Sequence, residues 1–397
     1  MSTKSLGSFP SKSCIVIWFI VIVWVHHAFA QTSSSRVPLG AKDFLEYWAA
    51  GRLLLYGGNP YSPEELFQLQ KEAGWTDSVP VIMWNPPWTL SITAPFGAFS
   101  YTTGQFFWLL FQIALVFFSV QQLWRIYGGA GPSRFVWVLP VTFVSTTFAF
   151  ISGQISPVVL AGLTGFLYFQ HRKNFFAAGG SAAFLTVKPH LLYLFWIVFA
   201  LWVWRERQWR ILSGLLVLGY SLATIPLLLD SHVYSQYVAL YKIADIPRPL
   251  DWLTPTLRTA TRVFIGPGHL WLQSAPSIAG VVWILFHWYR HKDQWEWLDQ
   301  LPGVVLVSVA TSFFAWTYDQ VVFFPAIVAA AIWIRQQSTD WHNFWSVRIY
   351  LFINFCHAVF RIWVADELWY YWLAPSLLLT YVIFLWEKQQ GRAAEAL

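Results

Sequence analysis

Long apolar segments, separated by short connections rich in lysine and arginine, run through almost all of this 397-residue chain. Because a bilayer core offers no water to backbone N–H and C=O groups, such a series folds there as a bundle of helices. Charged residues make up only 11% of the chain, against about 25% in soluble domains. The pattern therefore predicts an all-α polytopic membrane protein, with residues 1–397 forming one domain. The net charge of +6 belongs to the segment ends, so we expect no nucleic-acid partner.

The basic connections predict the topology. If they are cytoplasmic, the later spans fall near residues 104–124, 135–152, 155–170, 175–187, 189–204, 211–229, 270–289, 301–318, 321–334, 346–364 and 366–386. Residues 1–30 add a first span or a cleavable signal-like anchor, and both outcomes place residue 31 on the outer side. The prediction is about twelve transmembrane helices, with an outer layer built from loops 31–83 and 230–269.

One apolar stretch, residues 84–99, does not fit that count. It carries Pro86, Pro87 and Pro95 and is short for a bilayer core of about 30 Å. A full span here would also move every later basic loop to the outside. We therefore predict a re-entrant or interfacial element.

Residues 41–66 predict two helices joined by a turn. The first covers 43–56, ends at a pair of glycines, and groups Asp43, Glu46 and Tyr47 on one side. Ser62 has the features of an N-cap, with proline at the next position and glutamate three residues later, which predicts that the second helix begins there.

The uncommon polar groups of the apolar region fall at the outer ends of the predicted spans. They are Asp43, Gln154, Lys188 with His190, and the run Tyr318, Asp319, Gln320. Polar residues at such depths are costly unless they are paired or used. Their positions predict a single site that faces outward.

Each of these residues has two interpretations. Asp43 is suited to act as a general base, and it also complements the positive end of a helix. Lys188 and His190 suit an anionic phosphate, while a lysine at a helix end also extends to the membrane surface. Arg258 and Arg262 share a helical face in the outer loop, where they suit a lipid phosphate or anionic head groups. Asp319 and its neighbours suit substrate hydroxyls or the orientation of Lys188, and Asp319 also suits a cap on the next helix.

Five short motifs, taken in their order along the chain, resemble those of glycosyltransferase family 87. This group includes mycobacterial polyprenol-phosphate-mannose-dependent α-(1→2) mannosyltransferases. The motifs are Asp43 to Arg52, Gly58-Asn59-Pro60-Tyr61, Trp84-Asn85-Pro86-Pro87-Trp88, Gly153-Gln154 and Lys188-Pro189-His190. The resemblance covers roughly residues 40 to 335. It implies a GT-C fold with its active site at the outer membrane face.

The resemblance also implies roles for residues. Asp43 corresponds to the catalytic base that follows the first span, and Lys188 to the lysine of the family's Lys-Pro motif. A later Trp-Asp-His-like motif corresponds to residues 316–320, where this chain has Gln320 in place of the histidine of some members. That departure weakens the assignment of mannose and leaves other hexoses and pentoses open.

The resulting prediction is a transferase that moves a sugar from a polyprenyl-phosphate carrier to a hydroxyl of a lipid or glycan acceptor. It inverts the anomeric centre and acts at the outer, periplasmic face of a bacterial plasma membrane. Donor phosphate contacts are predicted for Lys188, His190, Arg258 and Arg262. Substrate contacts are predicted for Glu46, Tyr47, Arg52, Asn59, Tyr61, Trp84, Asn85, Gln154, Tyr318, Asp319 and Gln320. No cofactor is required by this scheme, although a divalent cation at Asp43 stays open.

Two other functions compete with this one. A transporter or flippase of lipid-linked saccharides accounts for many spans and for intramembrane Lys and Asp residues, but it favours inverted repeats, which the sequence does not show. A non-catalytic assembly subunit of an envelope complex is the second alternative.

Overall fold

The computed structural model describes residues 42–129, 133–243, 249, 252–266, 270–337 and 340–395, and these ranges contain helices and turns without a β-strand. The first apolar segment, residues 1–30, lies outside them. The α-helices are α1 (Lys42–Tyr56), α2 (Pro63–Glu72), α3 (Leu90–Gly97), α4 (Tyr101–Ile126), α5 (Phe135–Thr142), α6 (Val144–Ser152), α7 (Ser156–His171), α8 (Phe175–Ala183), α9 (Tyr193–Glu206), α10 (Trp209–Leu229), α11 (Val233–Leu240), α12 (Leu257–Ile265), α13 (Leu270–His291), α14 (Trp297–Ala310), α15 (Phe324–Gln337), α16 (Trp345–Trp363) and α17 (Leu373–Glu395). Turns of 3₁₀-helix lie at Pro87–Thr89, Phe184–Val187, Pro189–Leu192, Lys292–Gln294, Thr317–Phe323, Trp341–Asn343 and Glu367–Tyr370.

Four of the described helical stretches are long and apolar enough to cross a membrane: Tyr101–Ile126, Trp209–Leu229, Thr317–Gln337 and Glu367–Gly391. Two further pairs qualify if each bent pair is one span, which gives up to six. The predicted twelve spans are therefore not confirmed. The predicted span 301–318 is wrong at its end, because α14 stops at Ala310 and the next helical turn begins at Thr317.

The α1 and α2 hairpin follows its local sequence signals. Gly57 has a φ of +81°, a conformation that glycine adopts without strain, and α1 ends just before it. Ser62 Oγ accepts a hydrogen bond of 3.3 Å from Glu65 N, as an N-cap does. The Glu65 carboxylate accepts instead from Asn59 N at 3.0 Å, so its contact is to the turn and not to the Ser62 amide that a capping box uses.

The proline-rich stretch 84–99 forms Pro87–Thr89 and α3, eleven helical residues in a row. At 1.5 Å per residue these extend about 16 Å, roughly half of a bilayer core. Helix α3 packs directly on α1, where a Cβ on Gly51 would lie 2.8 Å from the Ala94 Cα. This short packed helix agrees with the prediction of an element that does not span.

Two breaks between helices position the polar residues Gln154 and Lys188. The pair α5 and α6 bends by 70°, and α6 ends at Gly153, whose φ is 69°. The stretches Phe175–Val187 and Pro189–Glu206 meet at 120°, with Lys188 between them. Proline at position 189 lacks the N–H that a continuous helix would need there.

The basic connections gather at the opposite end of the bundle. Arg335 donates to Ser133 Oγ at 2.9 Å, Tyr127 OH donates to Leu298 O at 3.1 Å, and Arg205 pairs with Asp293. His171 and Arg172 line the same cavity as Arg125. Because α7, α9 and α15 end at these connections, their N-terminal ends lie on the side of Gln154, Lys188 and Asp319.

Candidate active site

The junction between α6 and α7 is held by two side chains of α4. Trp108 Nε1 donates to Gly153 O at 2.7 Å, and Gln112 Nε2 donates to the backbone oxygen of Gln154. Both side chains are almost completely buried. Helix α4 therefore fixes the backbone that presents the Gln154 side chain.

The carboxamide of Gln154 is the centre of the polar cluster. Its Oε1 accepts hydrogen bonds from Lys188 Nζ at 2.8 Å, Ile155 N at 3.0 Å and Tyr47 OH at 3.2 Å. Its Nε2 donates to Asp43 Oδ2 at 2.9 Å. Since donors surround one end and a carboxylate the other, the network allows only one orientation of the amide.

Lys188 and Asp319 form a buried ion pair behind this amide. Lys188 Nζ lies 2.6 Å from Asp319 Oδ1, and their side chains are 7% and 1% exposed. The third ammonium partner is Ser156 Oγ at 3.3 Å, and this hydroxyl also contacts Asp319. An ammonium group has three N–H donors, so Gln154, Asp319 and Ser156 occupy all of them. Burying two charges is costly, and these added hydrogen bonds offset part of that cost.

A 3₁₀ turn presents Asp319. The turn begins at Thr317, and Asp319 Oδ2 accepts from the backbone N of Trp316 at 2.9 Å. The Lys188 ammonium lies over the ring of Tyr318 at 5.4 Å, a cation–π distance. The same carboxylate thus caps its own turn and neutralises the lysine, while its contact with substrate hydroxyls stays a prediction.

The carboxylates of α1 lie on the more accessible side. Asp43 and Glu46 are partly exposed, whereas Gln154, Lys188 and Asp319 are buried. Burial raises the pKa of the Tyr47 phenol well above 10, and the charges of Glu46 and Asp43 raise it further. Tyr47 therefore stays protonated and acts as a donor to Gln154.

His190 and Arg258 lie on two adjacent phenylalanines beside the cluster. The His190 ring stacks on Phe314 with centroids 3.7 Å apart, and the Arg258 guanidinium lies 5.7 Å from the Phe313 ring. Arg262 follows one turn later on α12 and, like Arg258, is partly exposed. These three basic side chains are more accessible than Lys188.

Arg52 and Asn59, predicted to contact substrate, have contacts to backbone. Arg52 Nη1 donates to Gly97 O at 3.1 Å, at the C-terminal end of α3, where a cation is favoured. Asn59 Oδ1 accepts from Tyr61 N at 2.9 Å inside the turn. The structure does not bring either side chain into the Gln154 cluster.

Tyr61 and Trp84 belong to an aromatic group with α11 and the residue that follows it. The Tyr61 ring packs edge-on against Tyr237 at 5.1 Å, and Trp84 packs against Tyr241 at 5.3 Å. Burial raises the pKa of Tyr61. Asn85 lies nearer to the ion pair, since its Nδ2 donates to Val187 O at 3.2 Å, one residue before Lys188. Gln320 follows Asp319 in the turn and is 2% exposed.

Several members of the cluster were not predicted from the sequence. Gln112 carried a readable signal, because an amide in the middle of an apolar helix usually has a specific partner. Ser156 carried none, since serine at a helix start is common. Arg361 and Glu367 also approach the Asp319 turn, and their charges within the apolar run 346–386 were a signal that the sequence reasoning left unused.

Over the residues that the structure describes, no group of three or more His, Cys, Asp or Glu side chains comes together as a metal site would require. The absence of a cofactor stays a prediction.

The model of glycosyltransferase family 87 matches residues 84–353. The chain belongs to this family. It is therefore a membrane glycosyltransferase of the EC 2.4 class, with a sugar donor and an acceptor, and the family predicted from the motifs is confirmed. No curated protein and no solved structure matches the chain.

The matched range includes Gln154, Lys188 and Asp319 but begins after Asp43. The family model thus covers the buried half of the cluster. The role of Asp43 depends on its contact with Gln154 and on the motif around it.

Proposed function

We propose that this glycosyltransferase takes its sugar from a polyprenyl-phosphate carrier and transfers it to a hydroxyl of a lipid or glycan, with Asp43 as the base. One observation carries the proposal: the Gln154 carboxamide joins Asp43 to the buried Lys188 and Asp319 pair. A catalytic carboxylate must be oriented, and a second side chain that binds it supplies this. Mannose is one candidate sugar, and other hexoses or pentoses are equally compatible with Gln320.

The reaction is a single displacement. The acceptor hydroxyl oxygen bonds to the anomeric carbon while the bond from that carbon to the carrier phosphate breaks. The phosphate leaves with the bonding electrons, and the hydroxyl proton passes to the Asp43 carboxylate. Attack from the side opposite the leaving group inverts the anomeric configuration.

The departing phosphate needs groups that stabilise its negative charge. Direct contacts are assigned to the guanidinium groups of Arg258 and Arg262 and to the ring N–H of His190, all of which are partly exposed. Lys188 is not assigned a direct contact, because its three N–H donors are already bound to protein groups. Because Asp319 neutralises its charge, Lys188 acts through its bond to Gln154, which fixes the amide that orients Asp43.

The outer membrane face is proposed for this site. The basic connections lie at the other end of the bundle, and basic loops favour the cytoplasm. Nucleotide sugars are cytoplasmic, so an outward site requires a donor that reaches it through the membrane. A polyprenyl chain satisfies this by entering between helices.

The test uses purified protein in lipid with a panel of labelled polyprenyl-phosphate sugars. The wild type is expected to consume one of them, and Asp43→Asn to lose about 10²–10⁴-fold in turnover while still binding the donor. Asp77→Asn, which alters an exposed aspartate after α2, serves as the control and keeps full turnover.

Consumption of a nucleotide sugar in place of the lipid-linked donors would contradict the proposal. The flippase alternative gives a different result again, since transbilayer movement of an intact lipid-linked sugar needs no proton acceptor and survives Asp43→Asn.

A further inference from the structure

Arg361 and Glu367 form a second ion pair close to the Asp319 turn. Their side chains are 11% and 18% exposed, and neither residue lies in the range matched by the family model. Arg361 is in the last turn of α16, and Glu367 starts the 3₁₀ turn that precedes α17. The pair therefore belongs to the C-terminal part of the chain, away from the motifs.

Both charged groups bind Thr317, the first residue of the turn that carries Asp319. Arg361 Nη2 donates to Thr317 Oγ1 at 2.8 Å. Thr317 donates to the Glu367 carboxylate through its Oγ1 at 3.2 Å and its backbone N at 3.3 Å. Thr317 is fully buried, so water does not compete at its backbone N–H or its hydroxyl.

Arg361 also contacts the element that carries Gln154. Its guanidinium lies 4.5 Å from the ring of Phe148 in α6 and 4.2 Å from the ring of Tyr370. Phe148 packs in one small hydrophobic cluster with Tyr318. Helix α6 ends directly before Gly153 and Gln154. The Arg361 guanidinium therefore contacts both the helix that leads to Gln154 and the turn that carries Asp319.

From these contacts we infer that Arg361 and Glu367 are positioning residues for the active site. They set the Asp319 turn against α6, and so fix the distance between the Lys188 pair and the Gln154 amide. This inference rests on the proposed function for its catalytic consequence. Its structural part, the bracing of the turn, stands independently.

An ion pair that only holds α16 to α17 would have a different signature. Its loss would lower the melting temperature without a selective effect on the chemical step. A positioning pair changes kcat at temperatures well below melting and leaves KM unchanged, because the donor's own contacts remain. Misplacement of a catalytic group by about 1 Å can cost on the order of 10²-fold in rate.

The experiment compares Glu367→Gln, Glu367→Asp and Arg361→Gln with the wild type. Glu367→Gln keeps the shape and one acceptor for Thr317, and we expect kcat to fall about tenfold with KM within about twofold. Glu367→Asp keeps the charge at a shorter reach, and should recover part of this loss. Arg348→Gln is the matched control, because it removes an exposed arginine of the same helix that bonds only to the His342 backbone among its described hydrogen bonds.

Hydrogen exchange gives a readout that needs no substrate. The amides of Trp316, Thr317 and Asp319 are expected to exchange faster in Arg361→Gln, while those of α10 keep their wild-type rate. Unchanged exchange in the turn, or an unchanged kcat in all three variants, would overturn the inference. If the wild type consumes no lipid-linked sugar, the proposed function fails, and the exchange result alone decides the positioning role.

Discussion

Asp43 and Lys188 contact opposite ends of one side-chain amide, that of Gln154. The lysine contact is buried, and the aspartate lies on the more accessible side. A hydroxyl can therefore approach Asp43 without disturbing the ion pair behind it. The cluster thus has a buried ion pair on one side of the amide and a more accessible carboxylate on the other, which is the arrangement that the proposed role of Asp43 requires.

Gln154→Leu tests whether this bridge matters. The change removes both the donor to Asp43 and the acceptor for Lys188, and we expect turnover to fall by about 10²-fold, as loss of a preorganised hydrogen bond does elsewhere. Gln154→Glu keeps an acceptor for Lys188 but places a negative charge beside Asp43, and is expected to be similarly slow. Initial rates with saturating donor measure both.

The control for that prediction is Gln236→Leu. Gln236 Nε2 donates to Asp230 Oδ2 at 2.8 Å, the same amide-to-carboxylate contact outside the cluster. Its loss should leave turnover unchanged. Equal effects of the two substitutions would show that the rate responds to general destabilisation.

Local signals in the sequence were sufficient for the α1 and α2 hairpin. Glycine at 57 and serine at 62 decide their own backbone conformations, so the helix ends could be predicted without knowing the rest of the fold. The polar groups at span ends also predicted that Asp43, Lys188 and Asp319 would share one region. Their separation along the chain gave no guide to which atoms would touch.

The Gln154 bridge could not be predicted, because it depends on how α1 and α7 are rotated about their axes. That rotation is set by packing between distant segments, such as Trp108 against Gly153. Arg52 shows the opposite case. It lies nine positions after Asp43, about 900° of helical rotation, which places it on the opposite side of α1. The helical period argues against the substrate contact that was predicted for Arg52 from its motif.

Hydropathy misplaced the boundary near residue 310 for a related reason. The apolar composition continues across Ala310, but the backbone leaves the helix and enters the turn capped by Asp319. Hydropathy averaged over a stretch of residues does not detect a turn that is stabilised by one carboxylate.

The Lys188 and Asp319 pair should contribute strongly to stability. Removing one partner of a buried ion pair leaves an uncompensated charge, which costs about 3–5 kcal/mol. Lys188→Met and Asp319→Asn are each expected to lower the melting temperature more than the double variant does, since the double variant leaves no lone charge. Thermal unfolding of the protein in nanodiscs, followed by tryptophan fluorescence, measures all three.

The exposed pair of Arg205 and Asp293 supplies the comparison. Its loss should cost at most about 1 kcal/mol, the usual range for surface pairs. Additive effects of Lys188→Met and Asp319→Asn would contradict the strong coupling that the buried geometry implies.

Gly179→Ala should destabilise the bundle. A Cβ at Gly179 would lie 1.7 Å from Ile211 O, because α8 and α10 approach through their backbones at this point. Forcing the helices apart costs typically about 1–3 kcal/mol. The adjacent Gly180→Ala is the control, since its Cβ would have no neighbour closer than 3.8 Å. Melting temperatures of the two variants should separate clearly, and equal values would mean that α8 moves freely against α10.

The proposed orientation predicts opposite labelling of two surface positions. Val79, 63% exposed, lies in the connection after α2 on the side of the site, and Trp209, 52% exposed, lies at the basic end. With Cys14 and Cys356 replaced by serine, Val79→Cys should react with a membrane-impermeant maleimide in intact cells, and Trp209→Cys only in inverted vesicles. The reagent reports which side each position faces, independently of activity. The reverse labelling would place Asp43 on the cytoplasmic side, where nucleotide sugars are present and a polyprenyl carrier is no longer required.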